Sequence, residues 1–269
     1  MRQIPPFNSE ALSRATSYER FTGRWSMRLA RLFVDFVELK PGGRTLDVGS
    51  GTGSVVQAIV EQCPTNEIVG IDVASELVEY SRTRFPGPHI TFECGSALDL
   101  PYPDDSFDQS VSQLVFQFLP DPARAASEMR RVTLPEGVVA ACNWDMAGNE
   151  RVHVLWQEQL KLDPESERYV ERPRQCTRQG ELARLWSEAG FVNVEETMLE
   201  FRTDFHSFED YWLPFLEGVG PTGSYVVKLP AEKRDALQTA LRRRLLGEHG
   251  KGVISLGARA WAVRGAVPR

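Results

Sequence analysis

Leu46-Asp47-Val48-Gly49-Ser50-Gly51-Thr52-Gly53 is the stretch on which the fold turns. A β-prone run ending at Val48 passes without a break into three glycines at alternate positions, and residues 54–62 then read as a helix. A strand that enters a helix through such a turn opens a βαβ unit. Glycine suits the turn because it tolerates positive φ and leaves no Cβ between the backbone and a ligand lying on the helix N-terminus. A lone GxG is common in turns, but here Asp47 lies at the end of the first strand and Asp72 closes the next, 19 residues beyond Gly53, where an acid accepts ribose hydroxyls. The arrangement points to a nucleoside-bearing ligand.

Outward from this turn, short apolar runs alternate with helical stretches as far as Trp144, the rhythm of a parallel sheet with helices on its faces. Strands are expected at 45–48, 67–72, 89–93, 107–112 and 138–144. Ser75 is the expected N-cap of a helix over 76–85 that Pro86-Gly87 ends, and Asp121-Pro122 opens another through Arg131. Leu134-Pro135-Glu136-Gly137 reads as a turn into the fifth strand. Before the sheet, Leu29, Leu32, Phe33, Phe36 and Val37 recur at helical spacing within 27–39, closed by Pro41-Gly42-Gly43. Beyond Trp144 a polar segment reaches Gln179; a helix over 181–189, a strand over 191–201, a helical stretch over 205–216 and a last strand over 253–263 follow. The division is a core over 1–144, a cap insertion at 145–178, a closing part of the core at 179–203 and 251–269, and a helical cap insertion at 204–250.

Composition narrows the function. The 269 residues carry 31 Lys+Arg against 37 Asp+Glu, a formal charge of −6, and no long run of one sign, which disfavours phosphate tracking along a nucleic acid. Arg242-Arg243-Arg244 follows Leu237 and Leu241 at helical spacing and reads as the solvated end of a helix. No apolar run approaches the ~18–20 residues that span a bilayer. Cys63, Cys94, Cys142 and Cys176 form no CxxC pair, the start MRQIPPFNSE lacks a signal-peptide core, and the four histidines lack metal-ligand spacing. The expectation is a metal-free cytoplasmic protein with free thiols.

Two ligand classes use a glycine turn of this kind. A dinucleotide fingerprint wants a third glycine where this chain has Ser54, and Asp47 would sit badly beside a pyrophosphate. A cationic, phosphate-free ligand suits Asp47 better. The segments LDVGSGTGS (46–54), VGIDVASELVEYSRTRF (69–85), FECGSALDLPYPDDSFDQSVSQLVFQFLPD (92–121) and EMRRVTLPEGVVAACNW (128–144) together resemble the class I S-adenosylmethionine-dependent methyltransferases of the small-molecule type, similar in pattern to the ubiquinone-biosynthesis enzymes. The resemblance implies an α/β, Rossmann-like seven-stranded sheet whose last strand is antiparallel, carrying helical cap insertions.

It also implies roles. Gly49, Ser50 and Gly51 would approach the methionine part of S-adenosylmethionine, with Asp47 anchoring that side; Asp72 would hold the ribose and Val73 lie against the adenine. Ser96, Ala97 and Leu98 would line the adenine edge, and Gln113 would face the transferred methyl. Two departures stand out: Ser96 replaces the usual Asp, and LPEG at 134–137 replaces the usual KPGG. The run from Tyr18 to Ser26 resembles the segment such enzymes fold over the cofactor, with Tyr18 and Arg24 as candidates to close the site and meet the methionine carboxylate; Phe21 and Trp25, four apart, equally read as a packing staple.

The acceptor is left open. Phe205, Phe208, Trp212 and Phe215 make an aromatic face after Ser207-x-x-Asp210 that suits lid packing more readily than substrate stacking. Tyr211, Glu217 and His153 are polar groups with no assigned role, and no catalytic base is identified. The expected partner is a small-molecule methyl acceptor of moderately apolar character, taken by a monomer or a homodimer. Beside the enzyme stand two alternatives, an S-adenosylmethionine-binding protein without turnover and a nicotinamide-dependent oxidoreductase.

Overall fold

The computed structural model describes residues 23–146, 148, 150–170, 174–247 and 251–269. Its centre is a seven-stranded sheet in the order β3-β2-β1-β4-β5-β7-β6, formed by β1 (Arg44–Val48), β2 (Glu67–Asp72), β3 (Ile90–Cys94), β4 (Phe107–Gln113), β5 (Thr133–Trp144), β6 (Val192–Phe205) and β7 (Ile254–Ala266). β1 to β5 pair in parallel, and β7 runs antiparallel to both its neighbours, as the resemblance implied.

The helices are α1 (Arg24–Val37), α2 (Ser54–Gln62), α3 (Ser75–Arg84), α4 (Pro122–Val132), α5 (Glu150–Leu162), α6 (Glu181–Glu188), α7 (Phe208–Leu216), α8 (Gly220–Lys228) and α9 (Ala231–Leu246). α1 to α3 cover one face of the sheet, where Leu29, Phe33, Val55, Ile59 and Val78 pack on Ile68 and Val111. α4 and α6 cover the other with Ala125, Met129, Leu182 and Trp186. Strands buried on both faces read as continuous apolar runs, which is why 68–71 and 138–142 stood out.

Several boundaries differ from expectation for local reasons. Ser75 is the first residue of α3 rather than its cap: the Asp72 carboxylate accepts the Ala74 N–H at 2.9 Å and starts the helix a residue early. Asp121 caps α4 as expected, its side chain accepting the Arg124 N–H. The 134–137 turn is absorbed into β5 as a register shift against β4, with Glu136 at φ 65°. α1 starts at Arg24 and stops at Val37, where Glu38 turns left-handed. Phe205 belongs to β6, so α7 begins only after the Ser207 cap, whose hydroxyl accepts the Asp210 N–H.

β6 and β7 also outrun the sheet. β5 ends at the Trp144–Ala260 pair, while β6 and β7 stay paired to Phe205–Ile254. On this projecting ribbon sits a third core, in which Leu155 and Trp156 of α5, Trp212 and Phe215 of α7, Val226 of α8 and Leu237 and Leu241 of α9 pack on Ile254, Leu256 and Ala258. Among the described residues no helix is long and apolar enough to cross a membrane.

Candidate functional site

At the β1–β4 boundary the strand order reverses, and a crevice opens there at the carboxyl ends of parallel strands. The glycine turn lies in it. The Gly49 and Ser50 N–H groups both donate to the Ile71 carbonyl, at 2.7 and 3.0 Å, stitching the turn to the end of β2. Gly49, Gly51 and Gly53 all have positive φ, but their surroundings differ. A Cβ on Gly49 would stand 2.3 Å from Val115 Cγ2 and one on Gly53 2.4 Å from Phe85 Cε2, whereas one on Gly51 would meet nothing within 4 Å. The outer glycines serve packing; the middle one faces open space.

Asp72 reaches across to this middle glycine, accepting the Gly51 N–H at 2.9 Å. Ser81 of α3, fully buried, donates its hydroxyl to the Gly51 carbonyl at 2.9 Å, and Arg84 donates to the Thr52 carbonyl at 3.0 Å. These two braces were not anticipated from the sequence; their only signal is a Ser and an Arg three positions apart on a helix that follows the ribose acid.

Asp47 is 1% exposed, and neither of its carboxylate oxygens has a hydrogen-bond partner. Burial, and secondarily the Asp72 charge, push its carboxyl up to about 8. A buried carboxylate without a donor is costly unless something cationic meets it. The Ser50 hydroxyl beside it is likewise buried and without a partner.

On the β3 side, Val73 is 70% exposed. Gly95 donates to the Asp72 carbonyl at 2.9 Å, and the Ser96 hydroxyl accepts the Leu98 N–H at 3.1 Å, so the Ser at the position of the usual Asp folds back on its own turn. Ala97 is buried and Leu98 half-buried. α4 holds this loop from beneath. Glu128 accepts the Leu100 N–H at 3.0 Å and pairs with Arg131, which donates in turn to the Leu100 and Tyr102 carbonyls; Arg124 donates to the Leu98 carbonyl. The Arg131 hydrogen bond, with help from the Leu100 N–H, holds the Glu128 carboxyl below its ordinary range despite burial.

Gln113 is the last residue of β4 rather than a loop residue. Its amide donates to the Ser26 carbonyl in the first turn of α1 at 3.0 Å, and it pairs in register with Cys142. Since Asp47 pairs with Val111, two residues back, Asp47, Gln113 and Cys142 share one face of the sheet, under the start of α1. Arg24 stands elsewhere than expected: its guanidinium forks onto the Asp210 carboxylate at 2.8 and 3.0 Å, donates to the Asp204 carbonyl and lies over the Phe205 ring. A bidentate carboxylate pair satisfies the fork, so Arg24 ties α1 to the cap instead of offering itself to a ligand carboxylate. Tyr18 and Phe21 lie outside the described residues. Trp25 is buried against Phe201 and Phe205, a packing contact of its half of the expected staple.

In the cap, Phe205, Phe208, Trp212 and Phe215 are all at most 3% exposed and pack on one another, as lid packing requires. Tyr211 is buried too and donates to the Arg151 carbonyl at 3.0 Å, with burial driving its hydroxyl up from the ordinary value. His153 is exposed and bonds Gln157, and Glu217 is exposed beyond the end of α7. None of the three is brought to the glycine turn by a described contact.

A sheet of this order with an acid-flanked glycine turn at its switch point defines a nucleoside-binding α/β protein, and comparison with known proteins narrows the class. The family model described as a methyltransferase domain matches residues 46–141. The demethylmenaquinone methyltransferase of Roseiflexus castenholzii is 30% identical over 166 residues, covering 56% of this chain and 69% of that protein. The malonyl-[acyl-carrier protein] O-methyltransferase of Halorhodospira halophila is 35% identical over 121 residues, 43% of this chain and 39% of that one. Among solved structures, the Haemonchus contortus phosphoethanolamine N-methyltransferase 2 bound to phosphomonomethylethanolamine and S-adenosylhomocysteine superimposes with a TM-score of 0.58 at 17% identity, over 99% of this chain and 62% of that one, a likeness of fold. The chain belongs to the class I S-adenosylmethionine-dependent methyltransferases. It spans between 34% and 69% of the length of the first curated relatives it matches.

The residues present fit the family's cofactor, S-adenosylmethionine, on two structural counts. Asp47 is a buried carboxylate lacking a partner, beside the turn where a sulfonium and an ammonium would lie, and the space over Gly51 is open.

Proposed function

We propose that this protein transfers the methyl group of S-adenosylmethionine to an oxygen, nitrogen or carbon atom of a small metabolite. The observation that carries the proposal is the buried Asp47 carboxyl without a hydrogen-bond partner, at the end of the strand that leads into the turn whose middle glycine faces open space: a cation there would ionise it and pair with it, which a phosphate cannot do. In this reading Asp72 accepts the ribose hydroxyls, Val73 covers the adenine, and Ser96, Ala97 and Leu98 border its edge. Gly49, Ser50, Gly51 and Asp47 hold the methionine part, and Gln113 borders the methyl.

When bound, the cofactor supplies a methyl already activated by its sulfonium. The protein's part is to hold the acceptor in line and keep water out, which can supply much of the barrier reduction without a protein nucleophile. Asp72, tied to both the Gly51 and Ala74 N–H groups, fixes the ribose acid against the turn before any ligand arrives. In this reading Asp47 accepts a hydrogen bond from the cofactor's ammonium group, and its burial strengthens that attraction. The first turn of α1, fastened by Gln113, closes the methionine side.

Calorimetric titration with S-adenosylhomocysteine and, separately, NADH tests the reading. Micromolar binding of the first alone supports it; selective NADH binding points to the nicotinamide alternative, and binding of neither removes the cofactor assignment. Tight S-adenosylhomocysteine binding with no methylation of any metabolite extract would favour a binding protein without turnover.

A further inference from the structure

The sheet core under α1 and the core of the cap are separate clusters that meet at Trp144 and Phe201, two rings that pack against both. Their centroids lie 6.2 Å apart, and both remain half-buried, while Trp25 and Phe205 beside them are 4% and 3% exposed. Trp144 ends β5 two residues beyond Cys142, so it continues the face that carries Gln113 and Asp47 at the carboxyl edge of the sheet. Phe201, Thr203 and Phe205 alternate along β6 and share a face in turn. Thr203 is fully buried, and its hydroxyl has no hydrogen-bond partner.

From this we infer that the junction of cap and sheet is the acceptor subsite, with Trp144 and Phe201 receiving the flat apolar face of the methyl acceptor and Thr203 receiving a polar substituent on it. The inference rests on the proposed methyl transfer and adds the residues that select the acceptor. Two half-covered aromatic faces favour a planar, unsaturated body, because ring faces stack on ring faces and edges, and a puckered saturated skeleton of equal size loses that contact. The buried, unpartnered Thr203 hydroxyl, flanked on its strand face by Phe201 and Phe205, favours an acceptor bearing a hydroxyl or carbonyl over a pure hydrocarbon, since a buried polar atom left without a partner is penalised. The subsite lies next to the Gln113 end of the cofactor crevice, where an acceptor must lie for an in-line transfer.

The probes are 2-naphthol and its saturated counterpart decahydro-2-naphthol, titrated by ligand-observed NMR into protein saturated with S-adenosylhomocysteine. The expected result is binding of 2-naphthol roughly tenfold tighter than of the saturated probe. Trp144→Ala should lose about tenfold in 2-naphthol affinity, Trp144→Phe should retain most of it, and Thr203→Val should weaken it several-fold. Equal binding of the two probes, no binding of 2-naphthol at about 1 mM, or an unchanged affinity in Trp144→Ala overturns the subsite. S-adenosylhomocysteine affinity, measured on every variant, keeps the two readings apart: its loss in the unmodified protein defeats the cofactor assignment, whereas normal cofactor binding with indifferent probes defeats the subsite alone.

Discussion

A methyl group added at Gly51 meets nothing within 4 Å, whereas the same methyl at Gly49 lands 2.3 Å from Val115. The two substitutions therefore separate ligand space from packing. Gly51→Ala, at φ 52°, should cost about 1 kcal/mol in backbone strain, leave a cooperative melt, and lower S-adenosylhomocysteine affinity at least roughly tenfold; Gly49→Ala should lower the melting temperature much further. Differential scanning fluorimetry with and without ligand reads both, and a Gly51→Ala protein that binds normally would show the open space is not the ligand's. Asp72→Ala removes the ribose acceptor and the anchor of the Gly51 N–H together, and should weaken S-adenosylhomocysteine binding by more than about tenfold in calorimetry. Asp47 gives a pH signature. With its carboxyl raised from 3.8 to about 8, the folded protein holds a proton there that the unfolded chain has released, so this group makes stability fall as pH rises between those values. A cationic ligand favours the ionised form, so binding near neutrality should release a proton and tighten as pH rises from about 6 to about 8. Calorimetry in buffers of different ionisation heat measures that proton, and Asp47→Asn should abolish it.

At the scale of the element, the helices behind the crevice hold its loops in place. α4 does this for the 96–102 loop through Glu128, whose side chain is 4% exposed and joins Arg131 to the Leu100 N–H. Arg131 keeps the Leu100 and Tyr102 carbonyls and Asp104 when Glu128 is removed, so the loss is mainly that of the charged hydrogen bonds and the Leu100 N–H acceptor, and Glu128→Ala should cost about 2 kcal/mol in a denaturant titration. Because the Glu128 carboxyl is held below its ordinary 4.5, its contribution is complete above that pH and is lost as pH falls through the lowered value. The mutant should therefore lose less stability than the unmodified protein on acidification below about pH 4.5. The element scale also marks what the sequence could and could not disclose. The glycine turn, α2 and β2 were legible to the residue because apolar period, glycine and terminal acid agree locally. Glu128 was legible only as part of a family-like EMRRV run, since nothing in its neighbourhood says that it reaches Leu100, 28 residues away. Arg24 looked like a cation for a ligand carboxylate because its partner, Asp210, comes 186 residues later. Side-chain commitments of that range come from the folded topology, and no local pattern encodes them.

For the molecule as a whole, the decisive fact is the separateness of the cap. Every buried apolar residue described between Phe205 and Ile254 belongs to the cap core, and among the described residues none enters either of the two cores that sandwich the sheet. The sequence disclosed the insertion by its loosened rhythm, but not the β6–β7 ribbon that carries it, because the added strand residues 202–205 alternate charge with bulk and read equally as the start of a helix. The ribbon makes a clean excision possible. Phe205 and Ile254 are the final pair of an antiparallel ladder, so an Asn-Gly turn joining them in place of residues 206–253 matches the two-residue hairpin geometry that right-twisted strands prefer. The shortened protein should keep the sheet and bind S-adenosylhomocysteine within about threefold of the full chain, since Asp47, Gly51, Asp72 and the 96–102 loop lie wholly in the retained part. It should also melt lower and tend to self-associate, because Trp156, Leu256 and Ile254 lose the helices that bury them. A cofactor affinity that collapses together with the cap would instead mean that the Arg24–Asp210 fork, whose carboxylate the excision removes, is what keeps α1 closed over the methionine side. Restoring only that tie, with an acidic residue placed in the new turn within reach of Arg24, would then recover cofactor binding.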